Sequence, residues 1–403
     1  MAQTILWLTI FTAIIIAARY LGSAQVSLAS GALNKRYAGR LAALLAAIAI
    51  CIAGLVAAAA TGGGRLAAIW AAAGGVAAAI AVSAFIRVGP GVRPRKALEF
   101  IAIGAMASVT GIAVITTFGI FLTLIFESVR FFQEVPIGDF LFGTIWSPQT
   151  AIRADQIASE GAFGVLPLIT GTLLVTFIAM LVAAPVGLMA AIYLEYYAHR
   201  AARDALKLIL ELLAGVPTVV YGFFALLIVG PLVAKSAMAT AALFGAEIDI
   251  STQNALAAGL VMGVMIIPFI SSLSDDVMSA IPPTLKEGGL ALGATKSETI
   301  LTVLLPAAGP GLVGAFLLAI SRAIGETMIV VMAASRSANL TFNPLERVTT
   351  FTVQIVSLLT GDQEFDSAKT LSAFALGLLL FLITLALNVV ALLTVKQFRM
   401  RYE

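Results

Sequence analysis

Charged and sulfur-bearing side chains are scarce in this chain. Only 11% of its 403 residues are charged, whereas soluble domains carry about 25%. The single cysteine, Cys51, excludes a disulfide framework and a thiolate metal site. The single histidine, His199, flanks an apolar stretch, which favours an interfacial position over a ligand role. No segment matches the ATP-binding pattern G-x-x-x-x-G-K-[ST], so the chain is not expected to hydrolyse ATP or to act as an enzyme.

Apolar residues, by contrast, form long uninterrupted runs. They make up 61% of the chain, and the mean hydropathy is +1.05. Because a bilayer span needs about 20 apolar residues and must satisfy its own backbone hydrogen bonds, such runs predict membrane-spanning helices. We expect an all-α, polytopic membrane protein with nine spans: Thr4–Leu21, Leu41–Ala60, Leu66–Ile86, Ile101–Phe126, Leu166–Tyr193, Leu206–Val233, Ala255–Leu273, Leu312–Ala334 and Leu371–Val395.

Basic residues between these spans predict the orientation. Sixteen of the 24 lysines and arginines lie between or at the ends of the spans on one side, seven lie on the other side, and Arg322 lies well inside a span. Cytoplasmic loops are enriched in lysine and arginine, so the richer set is assigned to the cytoplasm. This predicts a cytoplasmic C-terminus and an N-terminus outside the cell, which an odd number of spans also requires.

Residues 1–100 differ in composition from the rest of the chain. They are rich in alanine and glycine, and small residues permit close helix packing within a membrane. A basic linker, Arg87–Lys96, with two prolines follows the third predicted span. We therefore expect an N-terminal accessory region of three helices over residues 1–100 and a core of six helices over residues 101–403.

A polar stretch bounded by prolines, Pro282–Pro310, lies between two apolar spans. Small and apolar residues recur at helical spacing up to Leu292, and Gly293 is placed to end this first helix. A second short helix is expected to begin at Ser297 and to end before the closing prolines. A polar helix–turn–helix between two spans lies at one face of the bilayer, where it is either a specific docking element or a simple connecting loop.

The spacing in this stretch resembles the cytoplasmic coupling loop of ABC importer permeases, written E-A-A-x3-G-x9-I-x-L-P. Here glycines replace the two alanines, and Val303 replaces the isoleucine. In that family the loop docks in a groove of an ATPase subunit, with small residues for close approach and a glycine for the turn. The resemblance implies that loop 282–310 couples to an ATPase through Glu287, Gly288, Gly289, Gly293, Leu305 and Pro306.

Further motifs are similar to the phosphate-specific members of that family, of PstC type. They lie at Phe140–Pro148, Gly171–Leu173, Ala190–Leu194, Gly215–Gly222 and Arg322–Met328, which together cover nearly all of the core. The resemblance implies a permease subunit of an ATP-driven phosphate importer in the bacterial inner membrane. It also implies a PstA-like second permease, an ABC ATPase dimer that binds ATP-Mg, and an extracytoplasmic phosphate-binding protein as partners. Besides these proteins, the chain would contact membrane lipid, but it would bind no nucleic acid and hold no cofactor itself.

Two other functions stay open at this point. An importer of another tetrahedral oxyanion, such as sulfate or molybdate, could use the same intramembrane arginine. A secondary transporter or channel without an ATPase would have no use for a coupling loop, which makes it the less expected alternative.

Arg322 is predicted to lie about ten residues into the eighth span, near the bilayer midplane. A central arginine costs about 2.5–3.5 kcal/mol on insertion scales, so such residues usually mark a transport path. Glu326 follows at i+4 and is expected on the same helix face, where the pair could simply neutralise itself. Alternatively, the guanidinium fork suits phosphate. The resemblance implies that Arg322 and Glu326, with the adjacent Thr327, take part in phosphate passage.

Two segments, 127–165 and 335–370, are predicted on the outer side. Each is either an ordered loop or part of the surface that receives a substrate-binding protein. Within the second segment, Val348–Leu359 is predicted to form a short helix at the outer face. Within the sixth span, Pro217 is predicted to kink the helix because it removes one intrahelical hydrogen bond.

Overall fold

The computed structural model describes four stretches of the chain, residues 94–148, 161–243, 250–360 and 367–399. The first three predicted spans lie outside these residues, so the count of nine spans and the accessory region over 1–100 remain predictions. The chain separates into two compact units, Met1–Gly119 and Ile120–Glu403. All contacts between elements described below lie within the second unit.

The described residues are mostly helical. In chain order the helices are α1 Pro94–Glu134, α2 Ile137–Phe142, α3 Leu166–Ile192, α4 Arg200–Gly215, α5 Thr218–Phe224, α6 Gly230–Leu243, α7 Ala255–Ser279, α8 Pro283–Ala291, α9 Lys296–Thr299, α10 Leu305–Ile324, α11 Met328–Ala333, α12 Phe351–Leu359 and α13 Ala368–Arg399. Single π-helical turns follow α3, α5 and α9, at Tyr193–Tyr197, Ala225–Val229 and Ile300–Leu304. Two short strands, β1 Trp146–Ser147 and β2 Ala162–Phe163, pair antiparallel.

Within the described residues, six helical runs are long and apolar enough to cross a membrane. They are Val109–Glu134, Leu166–Tyr197, Thr218–Leu243, Ala255–Ser279, Lys296–Ile324 and Ala368–Thr394. These runs correspond, in order, to the six predicted spans of the core. The prediction of an all-α, polytopic membrane protein is therefore confirmed for the core, although the bounds of its spans differ from the predicted ones, most of all in the sixth and eighth.

The sixth predicted span, Leu206–Val233, is wrong in its first half. Helix α4 ends at Gly215 and α5 begins at Thr218, so Pro217 separates two helices instead of kinking one. Proline cannot donate a backbone hydrogen bond, and it disfavours helical geometry in the residue before it. Val216 accordingly adopts an extended conformation with ψ of 128°. Helix α4 is amphipathic and buries none of its residues, so it is not the first half of a continuous apolar span.

The eighth predicted span, Leu312–Ala334, is displaced toward the coupling loop. The helical run begins at Lys296 and ends at Ile324, and α11 follows as a separate short helix. Pro306 was expected to end a short helix, but it lies in the first turn of α10, directly after a π-helical turn. Proline is tolerated in a first helical turn because its missing N–H has no partner to lose there. The helix therefore runs through the proline that was predicted to stop it.

Helices α3 and α7 form the centre of the core. They approach so closely that a Cβ at Gly259 would lie 2.6 Å from Cγ2 of Ile178, and one at Gly263 would lie 2.9 Å from the carbonyl oxygen of Ala179. Small residues at such positions let two membrane helices come into backbone contact. Met262, which lies between these two glycines in the chain, is fully buried. This packing fixes α7, on which several residues of the candidate site lie.

An aromatic cluster lies at the end of the molecule opposite the coupling loop. Phe131 is surrounded by Phe140 and Phe163, both at 5.4 Å between ring centroids, and Trp146 pairs with Phe163 across β1 and β2. These contacts show that the described part of segment 127–165 is ordered. The short helix predicted over Val348–Leu359 is present as α12, which begins three residues later than expected, and its position at the outer face stays a prediction.

Candidate functional site

A polar cavity of about 510 Å³ lies between α4, α7 and α10. Cavities of a few hundred Å³ suit small-molecule ligands. Its wall combines charged and hydroxyl side chains with apolar ones: Leu194, Lys207, Leu210, Glu211, Ala214, Val216, Thr218, Met265, Pro268, Phe269, Ser271, Ser272, Asp275, Asp276 and Arg322. Ser271 is 1% exposed, and its hydroxyl oxygen has no hydrogen-bond partner among the described residues. The Ser271 hydroxyl is therefore buried within the cavity wall and has no partner among the described residues.

Arg322 brings a guanidinium group to this cavity from the last turn of α10. Its Cζ atom lies 5.4 Å from the centroid of the Phe269 ring. Phe269 is near the middle of α7, so Arg322 lies at mid-depth of the core although it is close to the end of its own helix. Among the described residues, no carboxylate lies within ion-pair distance of this guanidinium. Among the described residues the guanidinium therefore has no ion-pair partner, although the carboxylates of Glu211, Asp275 and Asp276 line the same cavity.

Glu326 and Thr327 do not share the helix face of Arg322. The prediction of one continuous helix is wrong here, because α10 ends at Ile324 and the chain turns before α11. Neither residue lines the cavity, and the described residues contain no ion pair between Arg322 and Glu326. The turn between α10 and α11 is bonded to α12 through its backbone. The Thr352 hydroxyl donates a hydrogen bond of 2.7 Å to the carbonyl oxygen of Glu326. The structure thus separates the arginine from its predicted partner.

The coupling loop has the predicted helix–turn–helix form. Helix α8 is followed by Gly293, whose φ of +85° is a left-handed conformation that favours glycine. Helix α9 begins with a capping box in which the Thr295 side chain and the Glu298 side chain each bond to the other residue's backbone N–H. The cap is thus two residues before the predicted start at Ser297. Glu287 is exposed and forms no ion pair with any described residue.

Two lysines attach the coupling loop to the end of α3. The Lys286 ammonium lies 5.4 Å from the centroid of the Tyr196 ring, and the Lys296 ammonium lies 4.8 Å from that of Tyr197. Cation–π contacts of this kind contribute about 0.5–1 kcal/mol at exposed sites. The close approach of Gly289 to the Thr299 side chain joins α8 to α9. The loop is therefore positioned against the core while Glu287 and Gly288 stay on its exposed side.

A group of four charged residues next to the cavity was missed in the sequence. The two carboxylate oxygens of Asp275 pair with Arg203 Nη2, at 3.3 Å, and with Lys207 Nζ, at 2.5 Å. Arg203 also pairs with Glu195. The Asp275 side chain is 5% exposed, whereas that of Lys207 is 41% exposed. Charged groups from the end of α3, from α4 and from α7 therefore meet at one buried carboxylate.

Two signals in the sequence could have revealed this group. Arg203 and Lys207 are four residues apart, which places them on one helix face. Asp275 lies in the same helix as an apolar run, just beyond the predicted end of the span at Leu273. The first signal was obscured because the predicted span began at Leu206, between Arg203 and Lys207.

The family comparison places the chain in a defined class. The model of the family "Binding-protein-dependent transport system inner membrane component" matches residues 183–401, more than half of the chain. The chain therefore belongs to this family of ABC transporter permeases. The matched region contains the cavity, the coupling loop and the residues around Arg322.

Individual relatives are more specific. The chain is similar to the probable ABC transporter permease protein YqgH of Bacillus subtilis, with 35% identity over 58% of this chain and 72% of the relative. It is also similar to phosphate transport system permease protein PstC 1 of Mycobacterium tuberculosis, with 32% identity over 62% of this chain and 80% of the relative. PstC of Haemophilus influenzae is 32% identical over 67% of this chain and 84% of the relative.

Proposed function

We propose that this chain is the transmembrane permease subunit of an ATP-driven, binding-protein-dependent phosphate importer. The proposal rests on the similarity to two relatives that are named as phosphate transport permeases. The chain covers 80% or more of the length of each. Family membership supports the class of transporter, and these relatives support phosphate as the transported ion. A secondary transporter or channel fits a binding-protein-dependent family poorly.

The chain would work as one part of a larger assembly in the bacterial inner membrane. We propose a PstA-like second permease, a dimer of ABC ATPase subunits that bind ATP-Mg, and an extracytoplasmic phosphate-binding protein as its partners. In the proposed topology, the N-terminus lies outside and the C-terminus lies in the cytoplasm. The coupling loop, with Glu287 and Gly293 exposed, is the part of the chain suited to dock on the ATPase.

The proposed path for the anion runs through the cavity that Arg322 lines. A guanidinium offers a planar fork of donors that matches two oxygens of a phosphate group. No described carboxylate pairs with it, so its donors are free to contact an anion, and the carboxylates of Glu211, Asp275 and Asp276 in the same cavity would oppose tight binding. Ser272 and Thr218 line the same cavity, and their hydroxyl groups can donate hydrogen bonds. The roles of Glu326 and Thr327 in passage remain proposals, and they would act from the turn beyond α10.

Transport would follow an alternating-access cycle. The loaded binding protein docks on the outer side, ATP binding closes the ATPase pair, and the coupling loop transmits that movement to the spans. Binding in the cavity must be weak enough for release, so the arginine would serve as a brief contact rather than a tight site. The chain itself performs no covalent chemistry.

Uptake of labelled phosphate tests this function directly. Cells that lack other phosphate importers should accumulate labelled phosphate when they express this chain with its partners, and excess sulfate or molybdate should not compete. Competition by sulfate would instead assign the chain to another oxyanion. Purification in mild detergent should recover an ATPase with the chain, and repeated failure to recover one would contradict the proposed assembly.

A further inference from the structure

Helix α4 is held to the core in an unusual way. It buries none of its residues, and its apolar face, which includes Leu208, Ile209 and Leu212, is exposed. Its opposite face carries Lys207 and Glu211, which line the cavity. A helix of a folded core is ordinarily held by burial of its apolar stripe. Helix α4 is turned the other way, with its charged side toward the protein.

Both ends of α4 adjoin residues in an extended conformation. His199 before it has ψ of 158°, and Val216 after it has ψ of 128°. Such positions between two helices can absorb a change in backbone angles, which is what a hinge requires. Helix α4 is thus a separate wall of the cavity, connected at each end through a short non-helical link.

Asp275 provides the ion pairs that join α4 to α7. The charged group has four members, and only Asp275 belongs to α7. The other three, Glu195, Arg203 and Lys207, lie close together in the sequence, in α4 or just before it. The Glu195–Arg203 pair is local and needs no contact with α7. The two bonds to Asp275 are therefore the ionic attachment of the cavity wall to the core.

We propose that Asp275 is a positioning residue that holds α4 against α7 in the state seen here, and that α4 leaves Asp275 when the cavity changes shape during transport. If α4 moves away, Arg203 keeps Glu195, and Lys207, already partly exposed, enters water. Asp275, which lines the cavity, then loses both of its ionic partners, and breaking a largely buried ion pair is unfavourable. The pairing therefore resists movement of α4 until the ATPase subunits supply the driving force.

This proposal rests on one part of the proposed function, namely that the chain works in an ATP-driven transporter with two states. Its test is a distance measurement that does not depend on the identity of the transported ion. Spin labels at Asp204→Cys in α4 and Ser279→Cys in α7, two exposed positions, would be introduced into a background lacking Cys51. The distance between them would be measured by pulsed electron paramagnetic resonance in the complete transporter, without nucleotide and trapped with ATP and vanadate.

In the labelled chain that keeps Asp275, the distance between the two spin labels should be short without nucleotide and longer in the state trapped with ATP and vanadate. Asp275→Asn should raise the ratio of the long to the short population without nucleotide by about tenfold or more. In the trapped state, Asp275→Asn and the unmodified chain should give the same distribution, because the bonds to Asp275 are already broken there. A general folding defect would not produce agreement in one state and a difference in the other.

Asp276→Asn is the matched control, since Asp276 is the adjacent, exposed carboxylate and pairs with no described cation. It should leave both distributions unchanged, and Asp275→Glu, which keeps the charge, should retain the short distance. If Asp275→Asn does not assemble, Lys207→Gln removes one of the two bonds and should give a smaller shift in the same direction. The proposal is overturned if the unmodified chain has the same distance in both states, or if Asp275→Asn and Asp276→Asn behave alike.

Discussion

The turn at Gly293 allows a quantitative test of the coupling loop. A Cβ added at this position would meet no atom within 4 Å, so the cost of a substitution comes from the backbone conformation alone. At φ of +85° an L-residue is penalised by roughly 1–2 kcal/mol, with asparagine least affected and a β-branched residue most. A cost of one or two kcal/mol changes the population of the turn about 5–30-fold relative to competing conformations.

We therefore expect ATPase coupling to fall in the order Gly293→Asn, Gly293→Ala, Gly293→Val. The measurements are the affinity of the purified permease for its ATPase subunits and the phosphate uptake per ATP hydrolysed. Gly138→Val is the control, because a Cβ at Gly138 also meets nothing within 4 Å while its φ is ordinary. Coupling in Gly293→Val equal to that of the unmodified chain would refute the strain argument, as would a loss of equal size in Gly138→Val.

Three further outcomes follow from the structure. Arg322→Gln should abolish phosphate uptake with the complex intact, and Arg322→Gln/Glu326→Gln should stay inactive, because the two residues form no ion pair; uptake restored in the double variant would contradict a direct role for Arg322. With single cysteines replacing Ser147 or Ser297 in a cysteine-free background, an impermeant thiol reagent on intact cells should label only the former, and labelling of the latter would reverse the topology. Gly259→Leu should destabilise the solubilised chain by about 1–3 kcal/mol in thermal unfolding, because the α3–α7 contact has no room for a side chain, and an unchanged melting temperature would contradict that packing.

The sequence predicted the local elements of the coupling loop well. Gly293 and the short helices around it follow from residue type, because a left-handed turn and an N-cap are set by a few neighbouring residues. The six spans of the core were likewise predictable from the length of their apolar runs. Their partners in space were not, and the ion pairs at Asp275 join residues about 70 positions apart in the chain.

The two span errors have a common physical cause. Average apolarity cannot distinguish an amphipathic helix with an exposed apolar face, such as α4, from the first half of a span. Nor can it show that a π-helical turn at Ile300–Leu304 lets the chain pass through Pro306 as a helix. The pattern of apolar residues gives the backbone conformation in neither place.

The helix breaks before α5 and after α10 separate helices that are attached differently. Helices α5 and α11 are tightly packed, whereas α4 is loosely attached. Helices α5 and α11 are in backbone contact, since a Cβ at Gly222 would lie 3.2 Å from the carbonyl oxygen of Met328, and Ile329 is fully buried. Helix α4, on the far side of its break, buries nothing. The Tyr221 hydroxyl, which donates to the carbonyl oxygen of Leu213 at 2.9 Å, links the two helices across that break. Because stability follows buried apolar area, a displacement of α4 about this link would leave the packing of α5 against α11 intact.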